Sequence, residues 1–353
     1  MAKSGSGTQE RQKTDGTAAR PSGGRSVTME TVGRLAGVSQ VTVSRALSDP
    51  SKVSPATLEK IRQAIETTGF VPNALAGALA SRRSKLIAAL VPSITNIVYS
   101  WMIKAFTEGI SGHGYQILLS ETGFDPAEEE KLIMTHLSRR PDAILLTGIH
   151  HTSEARRMLL AAGIPVVELW DTTESPIDLC VGFSHVEAGR AAADFAVGAG
   201  YRNFATVCAG DERATRRRDA FTREVARLCG KNTTAINFEE IARLSHGRDA
   251  MRRLIEDEGF RDGVIFCSSD ILAHGIIIEA NARGLKIPED VAVIGFGDQE
   301  FAAYVEPAIT TVRVDRTKLG HTAAAAILAR CEGGPSPDRV TDLGFEIIRR
   351  KSA

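Results

Sequence analysis

The distribution of hydrophobic residues changes at Leu86, which divides the chain into two parts. Before Leu86, apolar residues such as Val32, Leu35 and Ala36 recur at helical spacing and predict short helices. After it, continuous apolar runs alternate with amphipathic helical patterns, which is typical of parallel sheets covered on both faces. The predicted strands are Leu86–Val91, Gln116–Ser120, Ala143–Leu146, Val166–Leu169, Phe204–Cys208, Val264–Cys267 and Val291–Gly295. A chain of 353 residues is too long for one ordinary domain, and the second part alone predicts two lobes.

The stretch from Met29 to Leu47 has the pattern of two short helices joined by a tight turn. Gly37 supplies the turn, where a side chain would resist positive φ, and Ser39 is placed to cap the second helix. The second helix directs Thr42, Val43, Ala46 and Leu47 inward and Gln40, Val41, Ser44 and Arg45 outward. An outward polar face at the start of this helix predicts a helix-turn-helix that reads DNA. The alternative is a helical hairpin that packs on a larger domain.

The segments that flank this motif differ in composition. Ser54, followed by proline, begins a third helix, and Gly69 ends it. Residues 73–85 have helical composition but are too few to be stable alone in water, which indicates a linker that orders on a partner. Residues 1–26 are rich in Gly, Ser, Thr and Lys/Arg, so we predict a disordered tail.

Charge is distributed unevenly although the formal net charge is zero. Residues 1–85 contain 13 Lys/Arg and 6 Asp/Glu, which leaves 30 Lys/Arg and 37 Asp/Glu for the remainder. A basic front part joined to an acidic body predicts that only the front part approaches a polyanion such as DNA.

Several function classes lack support in the sequence. The five cysteines (Cys180, Cys208, Cys229, Cys267 and Cys331) are odd in number and form no C-x-x-C pair, so neither a disulfide framework nor a metal site is predicted. No phosphate-loop, zinc-protease or serine-hydrolase motif occurs, so we predict neither an enzyme nor a cofactor. Without an apolar span or an export signal, the protein is predicted to be cytoplasmic, which argues against a solute-binding transport protein.

The headpiece segment TMETVGRLAGVSQVTVSRALSDPSKVSPATLEKIRQAIETTGFVPNALAGALASRRS resembles the lac repressor family of bacterial transcription regulators. The resemblance continues through PSITN, GIPVVELWD, GDERATRRRDAF, SSDILAHG and VIGFGD, and so covers nearly the whole chain outside the tail. Within the family, GIPVVELWD, VGFSH, GDERAT and TDLGF resemble the gluconate-repressor branch most closely.

This resemblance implies a domain order and a mode of action. It implies an all-α helix-turn-helix headpiece at 27–72, a hinge helix at 73–85 and a core at 86–353. The core would be an α/β, two-lobed, periplasmic-binding-protein-like (type I) fold with parallel sheets. Its first lobe would comprise about 86–183 and 314–340, and its second about 184–313 and 341–353. Such a protein would bind double-stranded, palindromic operator DNA as a homodimer, away from any membrane, and respond to a small-molecule effector.

The resemblance also implies which headpiece residues contact DNA. Gln40 and Val41 match positions that face base edges, and Arg45 matches a base-reading arginine. Chemically, glutamine pairs with adenine, arginine with guanine, and valine packs on a thymine methyl. The alternative is that Gln40 and Arg45 contact only phosphate. Leu79 matches a leucine that wedges into the minor groove. The alternative for Leu79 is that it packs between the hinge helices or on the core. The predicted DNA-contact residues are Thr28, Ser39, Gln40, Val41, Thr42, Ser44, Arg45, Asn73 and Leu79.

Effector residues are predicted from the carboxyl ends of the strands, where ligands of such folds bind. The predicted set is Ser93, Thr95, Asn96, Asp171, Arg213, Arg217, Ser269 and Asp270. Loop solvation or helix capping is the alternative for each, and Asp211 is predicted to be a cap. Arg217 matches the family's ligand-sensing arginine, whereas Arg216 and Arg218 are predicted to lie on the surface.

The ligand is predicted to be a small sugar acid, gluconate or a keto-gluconate first. Arg213 and Arg217 lie one helical turn apart and can pair with a carboxylate. Gly297 stands where galactoside-binding relatives carry an aspartate, which removes a charge that would repel an acid. The alternatives are a neutral sugar or a purine, and the sequence indicates little of the aromatic stacking that a purine requires.

Overall fold

The computed structural model describes residues 27–72 and 83–353, which belong to two units divided after Arg82. Asn73 and Leu79 lie outside the described residues. The unit at the N-terminus contains helices α1 (Met29–Ala36), α2 (Gln40–Ser48) and α3 (Pro55–Thr68), with a single 3₁₀ turn at Pro50–Lys52.

Local chemistry sets the bounds of these helices. The Thr28, Ser39 and Ser54 hydroxyls each accept a hydrogen bond from the backbone N–H three residues on, which begins α1, α2 and α3 respectively. Gly37 and Gly69 adopt left-handed φ values of 68° and 63°, which end α1 and α3 at little steric cost.

The headpiece core is small and comes from all three helices. It consists of Val32, Ala36, Val43, Ala46, Ile61, Ala64 and Phe70. Leu47, which was predicted to face inward, is 36% exposed, and Leu35, part of the apolar pattern of α1, is 56% exposed. Val32 and Ala36, four residues apart, already form the inner stripe of the eight-residue α1, so Leu35 lies beside that stripe and faces solvent.

The second unit alternates strands and helices as the apolar runs predict. Its strands are β1 (Leu86–Val91), β2 (Gln116–Glu121), β3 (Ala143–Thr147), β4 (Val166–Leu169), β5 (Leu179–Gly182), β6 (Phe204–Ala209), β7 (Thr233–Phe238), β8 (Gly263–Cys267), β9 (Val291–Phe296), β10 (Thr310–Arg313), β11 (Val340–Asp342) and β12 (Glu346–Ile348). Its helices are α4 (Ile97–Ser111), α5 (Pro126–Leu137), α6 (Ser153–Ala162), α7 (His185–Gly198), α8 (Glu212–Cys229), α9 (Leu244–Glu256), α10 (Asp270–Ala282) and α11 (Arg316–Glu332), with a 3₁₀ turn at Glu300–Ala303.

Two six-stranded sheets form the two lobes. Their orders are β11-β5-β4-β3-β1-β2 and β12-β10-β9-β8-β6-β7, and every pair is parallel except β10 with β12. The predicted two-lobed architecture with parallel sheets is confirmed. Asp342 pairs with Gly182 in the first sheet, so the chain returns to the second lobe after position 342, slightly later than the predicted 340.

Burial follows this arrangement. The central strands are almost fully buried, whereas β2 at an edge of the first sheet is half exposed. Because successive strands run parallel, their carboxyl ends meet at one edge of each sheet, and the helices that follow begin there. Polar side chains from several strand–helix junctions are therefore brought together.

Candidate functional site

The first candidate site is the outward face of α2. Ser39 Oγ accepts a hydrogen bond from the N–H of Thr42 at 3.2 Å, so this predicted DNA contact is also the helix cap, as Thr28 is for α1. Gln40, Ser44 and Arg45 are exposed, whereas Thr42 is half-buried and its hydroxyl lies 2.9 Å from that of Ser39.

Val41 gives this face its particular chemistry. It is 65% exposed, although valine is usually buried. Beside exposed glutamine and arginine side chains it forms a surface that can offer both hydrogen bonds and an apolar contact to base edges. The N-terminal end of α2, with its free N–H groups, can in addition approach a phosphate.

The second candidate site is a cavity of the core at the carboxyl ends of strands from both sheets. Side chains from both lobes contribute to it, which is the usual position of a ligand in such folds. Residues that line it include Asn96, Tyr99, Phe124, Trp170, His185, Asp211, Arg213, Arg217, Ile241, Ala242, Ser268, Ser269, Phe296, Gly297, Gln299 and Arg316.

Arg217 is the most deeply placed cation of the cavity, with only 4% of its surface exposed. Its guanidinium donates to the Ser268 carbonyl at 3.1 Å and to His185 Nδ1 at 2.8 Å, and lies 3.8 Å from the ring centre of Phe296. His185 Nε2 donates to the Trp170 carbonyl at 2.7 Å, which leaves Nδ1 as the acceptor. Burial and Arg217 hold the pKa of His185 well below its usual value, so the imidazole is neutral.

Arg213 lies one turn earlier on α8 and joins the two lobes. It donates to the Tyr99 hydroxyl at 2.7 Å and lies 3.7 Å from a carboxylate oxygen of Asp211. Asp211 also accepts from the Ala214 N–H, which confirms its predicted capping role. The rings of Tyr99 and Trp170 meet edge to face at 5.7 Å, so Arg213 approaches an aromatic wall of the cavity.

The predicted effector residues divide into two groups. Asn96, Arg213, Arg217 and Ser269 line the cavity, and Asn96 and Ser269 also cap α4 and α10. Ser93 and Thr95 are absent from the lining, and their hydroxyls lie 3.1 Å apart within their own loop.

Asp270 is a correction to the predicted ring of hydroxyl-binding groups. It is fully buried and outside the cavity lining. Its carboxylate accepts from the Thr311 hydroxyl at 2.6 Å and the Gln299 N–H at 2.7 Å, so its acceptor sites hold the loop after β9. Burial raises the pKa of Asp270 to about 6.

Asp171 and Arg216 form an ion pair across the lobes, which the sequence did not predict. Asp171 follows β4 and is buried, and it lines a neighbouring cavity rather than the one around Arg217. Its carboxylate accepts from Arg216 of α8, so Arg216, which was predicted to lie on the surface, is only partly exposed and contacts the first lobe. Arg218 binds Asp219 and Asn237 away from the cavity.

Sequence reasoning missed several cavity residues. Tyr99 lies within a helix. His185 and Arg316 begin helices three residues after β5 and β10, two short strands that the apolar runs did not predict. Phe124, Trp170 and Phe296 add aromatic surface, so the expectation of little aromatic stacking was wrong. The aromatic residues sit at three separate strand–loop junctions, and only the folded chain brings them together.

Two segments of the chain match known families. Residues 28–73 match "Bacterial regulatory proteins, lacI family", and residues 193–353 match "Periplasmic binding protein-like domain". The HTH-type transcriptional regulator GntR of Pseudomonas aeruginosa is 36% identical over 327 residues, 92% of this chain and 95% of that protein. GntR of Escherichia coli is 33% identical over 321 residues, 90% and 96% of the two chains.

The chain belongs to the lacI family of bacterial regulatory proteins. It is a DNA-binding transcriptional regulator, and the relatives confirm the predictions of family and of a function other than an enzyme's. A solved LacI-family regulator from Silicibacter pomeroyi is 32% identical, with a TM-score of 0.87 over 92% of this chain and 99% of that one. The lac repressor dimer bound to operator is 23% identical with a TM-score of 0.81 over 92% of this chain and 98% of that one, which shows the shared fold.

Two further observations bear on this family member. Within residues 27–72 and 83–353, no helix is long and apolar enough to cross a membrane. In the same part of the chain, no group of three or more His, Cys, Asp or Glu side chains is arranged to hold a metal ion.

Proposed function

We propose that this regulator is a repressor that binds a palindromic operator as a homodimer and is released by a small sugar acid such as gluconate or a keto-gluconate. The DNA part of the proposal is supported by the exposed face of α2 and by the basic front part of the chain. A resemblance to the gluconate-repressor branch supports the ligand class.

A dimer is supported by surface chemistry in the first lobe. Ile94, Ile97 and Trp101 are exposed around the start of α4, although such residues are usually covered. A two-fold pairing of protomers accounts for covering them and matches a palindromic site.

The observation that carries the effector proposal is the state of Arg217. It is buried, yet no carboxylate of the described residues lies within ion-pair distance of it, and its Nε has no hydrogen-bond partner there. A buried cation without an anion is unfavourable, so an anionic ligand provides what the site lacks. Asn96, Ser268 and Ser269 in the lining are suited to bind hydroxyl groups.

Release from DNA follows from differential binding. A ligand that contacts both lobes favours one relative position of them, and we propose that this position pairs the first lobes of the dimer unfavourably for the predicted hinge at 73–85. The operator complex weakens only as far as the ligand's affinities for the two states differ.

The test uses the full-length protein and a DNA fragment from its own promoter region. We expect a two-fold symmetric footprint that gluconate or a keto-gluconate abolishes, with glucose as the neutral control. A footprint without two-fold symmetry contradicts the dimeric operator complex. Release by glucose at lower concentration than gluconate contradicts the sugar-acid effector.

A purine corepressor is a second candidate, which the aromatic lining favours. Tyr99, Phe124, Trp170 and Phe296 surround the cavity and could stack on a base. In that case hypoxanthine or guanine would strengthen the operator complex, whereas gluconate would leave it unchanged. The same footprint assay therefore separates the two candidates.

A further inference from the structure

The three arginines that line the cavity are not equivalent. Arg213 has Asp211 at 3.7 Å and the Tyr99 hydroxyl at 2.7 Å, so its charge is compensated within the protein. Arg217 and Arg316 have no carboxylate within 4 Å in the part of the chain that the structure describes. The cavity therefore contains two cations that lack an anion.

Arg316 is the first residue of α11, at a point where the chain crosses between the lobes. Its Nη2 donates to the Asp298 carbonyl at 2.9 Å, whereas its Nη1 is buried and has no hydrogen-bond partner among the described residues. The Asp298 carboxylate is occupied elsewhere, because Arg350 lies 2.7 Å from it and Arg313 3.8 Å. Asp270, Asp298 and Asp315 act on the charge of Arg316 from beyond 4 Å. None of them binds Nη1, so this arm of the guanidinium is available to a ligand.

Arg217 and Arg316 contact the same short segment at the end of β9. Arg217 lies over the ring of Phe296, and Arg316 donates to the backbone of Asp298. Gly297 lies between Phe296 and Asp298 and has a φ of 118°, a conformation that residues with side chains rarely adopt. It lines the cavity without bringing a side chain into it. The space beside this segment is consequently bordered by two guanidinium groups, and Gly297 adds no acid to it. The Asp270 carboxylate lies close to Gly297, but it accepts from the Thr311 hydroxyl and the Gln299 N–H.

A third donor on the cavity wall points to the same ligand chemistry. Trp170 is 4% exposed, and its Nε1 is buried without a partner in the described residues. An indole N–H can only donate. Together with Arg217 Nε and Arg316 Nη1, it makes three buried donors without a partner among the described residues, and the oxygens of a ligand could accept from them.

We infer that Arg316 is the specificity-determining residue by which this cavity selects an acid over the neutral sugar alcohol of the same carbon skeleton. Its guanidinium binds the ligand carboxylate together with Arg217. This assignment rests on the proposed sugar-acid function. It adds a residue that was not among those predicted from the carboxyl ends of the strands. A neutral ligand leaves both guanidinium groups uncompensated, whereas a carboxylate supplies charge-assisted hydrogen bonds to them.

The burial of both groups agrees with a site that waits for an anion. Burial lowers the pKa of Arg316 and that of Arg217, which means that desolvation outweighs the nearby acids. Both remain charged at any physiological pH, because an arginine side chain starts from a very high pKa. The cost of the two buried charges is therefore offset by an anionic ligand and not by loss of a proton.

The experiment is calorimetric titration of the full-length protein with D-gluconate and with D-sorbitol. Sorbitol has the same six-carbon chain and carries a hydroxymethyl group in place of the carboxylate. We expect the natural protein to prefer gluconate, and Arg316→Gln to lower gluconate affinity about 30-fold or more while sorbitol affinity stays the same. Lys318→Gln is the matched control, since it removes one charge from the same helical turn at an exposed position.

A stability measurement separates this role from a structural one. Because desolvation of Arg316 outweighs its attraction to the nearby acids, Arg316→Gln should leave the thermal midpoint of the ligand-free protein unchanged or raise it. Arg316→Lys keeps the charge and loses the planar fork, so its preference for gluconate should fall between those of the natural protein and the glutamine variant.

The results distinguish an error in the assignment of Arg316 from an error in the proposed sugar-acid function. If Arg316→Gln retains the natural preference, or if a folded Arg316→Lys discriminates no better than Arg316→Gln, the assignment of Arg316 is wrong. A marked fall of the thermal midpoint in both variants also contradicts it and indicates a structural residue. If the natural protein itself does not prefer gluconate to sorbitol, the sugar-acid function fails, and this inference fails with it.

Discussion

Helices α2 and α8 each carry an arginine that we propose contacts a ligand, but the two arginines lie in opposite environments. Arg45 on α2 is exposed and hydrated, so a DNA contact must replace water and compete with salt ions. Arg217 on α8 is already desolvated before any ligand arrives. The difference teaches that the headpiece depends on solution conditions and base sequence, whereas the cavity depends on whether the ligand supplies an anion.

Salt should separate the two regions most strongly. If the headpieces contact six or more phosphates, operator affinity should fall roughly 10³-fold or more between 50 and 200 mM salt. Gluconate affinity should change by less than about tenfold, because buried charges are screened much less. Fluorescence anisotropy with labelled operator and calorimetry with gluconate measure the two slopes. If the two affinities fell equally with salt, the ligand charges would be as exposed to solvent as the DNA contacts, contrary to the difference between the two regions.

Arg217→Met should affect the cavity and leave the headpiece intact. We expect gluconate affinity to fall about 30-fold or more, because a buried charged contact is lost, while operator affinity without ligand is unchanged. Arg218→Met is the matched control, since Arg218 is adjacent to Arg217 in sequence but binds Asp219 and Asn237 outside the cavity. A normal gluconate response of Arg217→Met would disprove the ligand contact.

Arg45→Ala should have the reverse pattern and a smaller effect. It should cost about 1–3 kcal/mol of operator binding and relax the choice of base at one position. Gluconate binding should not change. Binding to a set of operator variants tests this, with the exposed Arg62→Ala on α3 as the control. A uniform loss over all variants would mean that Arg45 contacts only phosphate.

The smallest expected effect is a pH dependence that belongs to the core. His151 is buried between Glu129, 2.6 Å from Nδ1, and Glu168, 3.4 Å from Nε2. Burial disfavours the charged imidazole, but the two carboxylates outweigh it and raise its pKa to about 9 from an ordinary 6.5. The folded core therefore holds this proton more tightly than the unfolded chain. The resulting stabilisation is complete below about pH 6.5 and is lost as the pH rises through about 9.

Thermal unfolding between pH 7 and pH 9 measures this effect. We expect the midpoint of the natural core transition to fall by a few degrees more than that of His151→Gln, since about 1 kcal/mol shifts a domain of this size by roughly 2–4 °C. His113→Gln serves as control, because its imidazole is exposed beside Glu332. Parallel pH profiles for the natural protein and His151→Gln would contradict the role of His151.

The headpiece could be predicted closely because its determinants are local. Ser39, Gly37 and Ser54 act within a few residues of their own positions, through caps and a left-handed turn. Leu47 was placed wrongly because its exposure depends on how the helices pack together, which no local pattern contains.

The core was predicted in outline for a similar reason. Long apolar runs gave the central strands, but β5, β11 and β12 are only three or four residues long and are defined by pairing with distant partners. Asn96, Arg213 and Ser269, predicted from the ends of the strands, line the cavity, as does Arg217, which the family resemblance indicated.

The prediction from strand ends failed where a polar group is satisfied by a distant residue. Asp270 accepts from Thr311, and Asp171 from Arg216, and neither partner is adjacent in sequence. Only the folded chain shows which acids are already saturated and which donors, such as Arg316 Nη1, have no partner among the described residues. A sequence pattern names the polar residues but does not count their hydrogen bonds.

The first turns of α8 perform two tasks, and this limits how the protein can diverge. Arg213 contacts Tyr99 and Arg216 contacts Asp171, both in the first lobe. Arg217, the next residue of the same helix, lines the cavity. A substitution on α8 that suited another ligand would also disturb the contacts that set the position of the lobes. Positions such as Ala242, which line the cavity from another loop, are the better starting points for engineering a sensor with a new ligand and an unchanged switch.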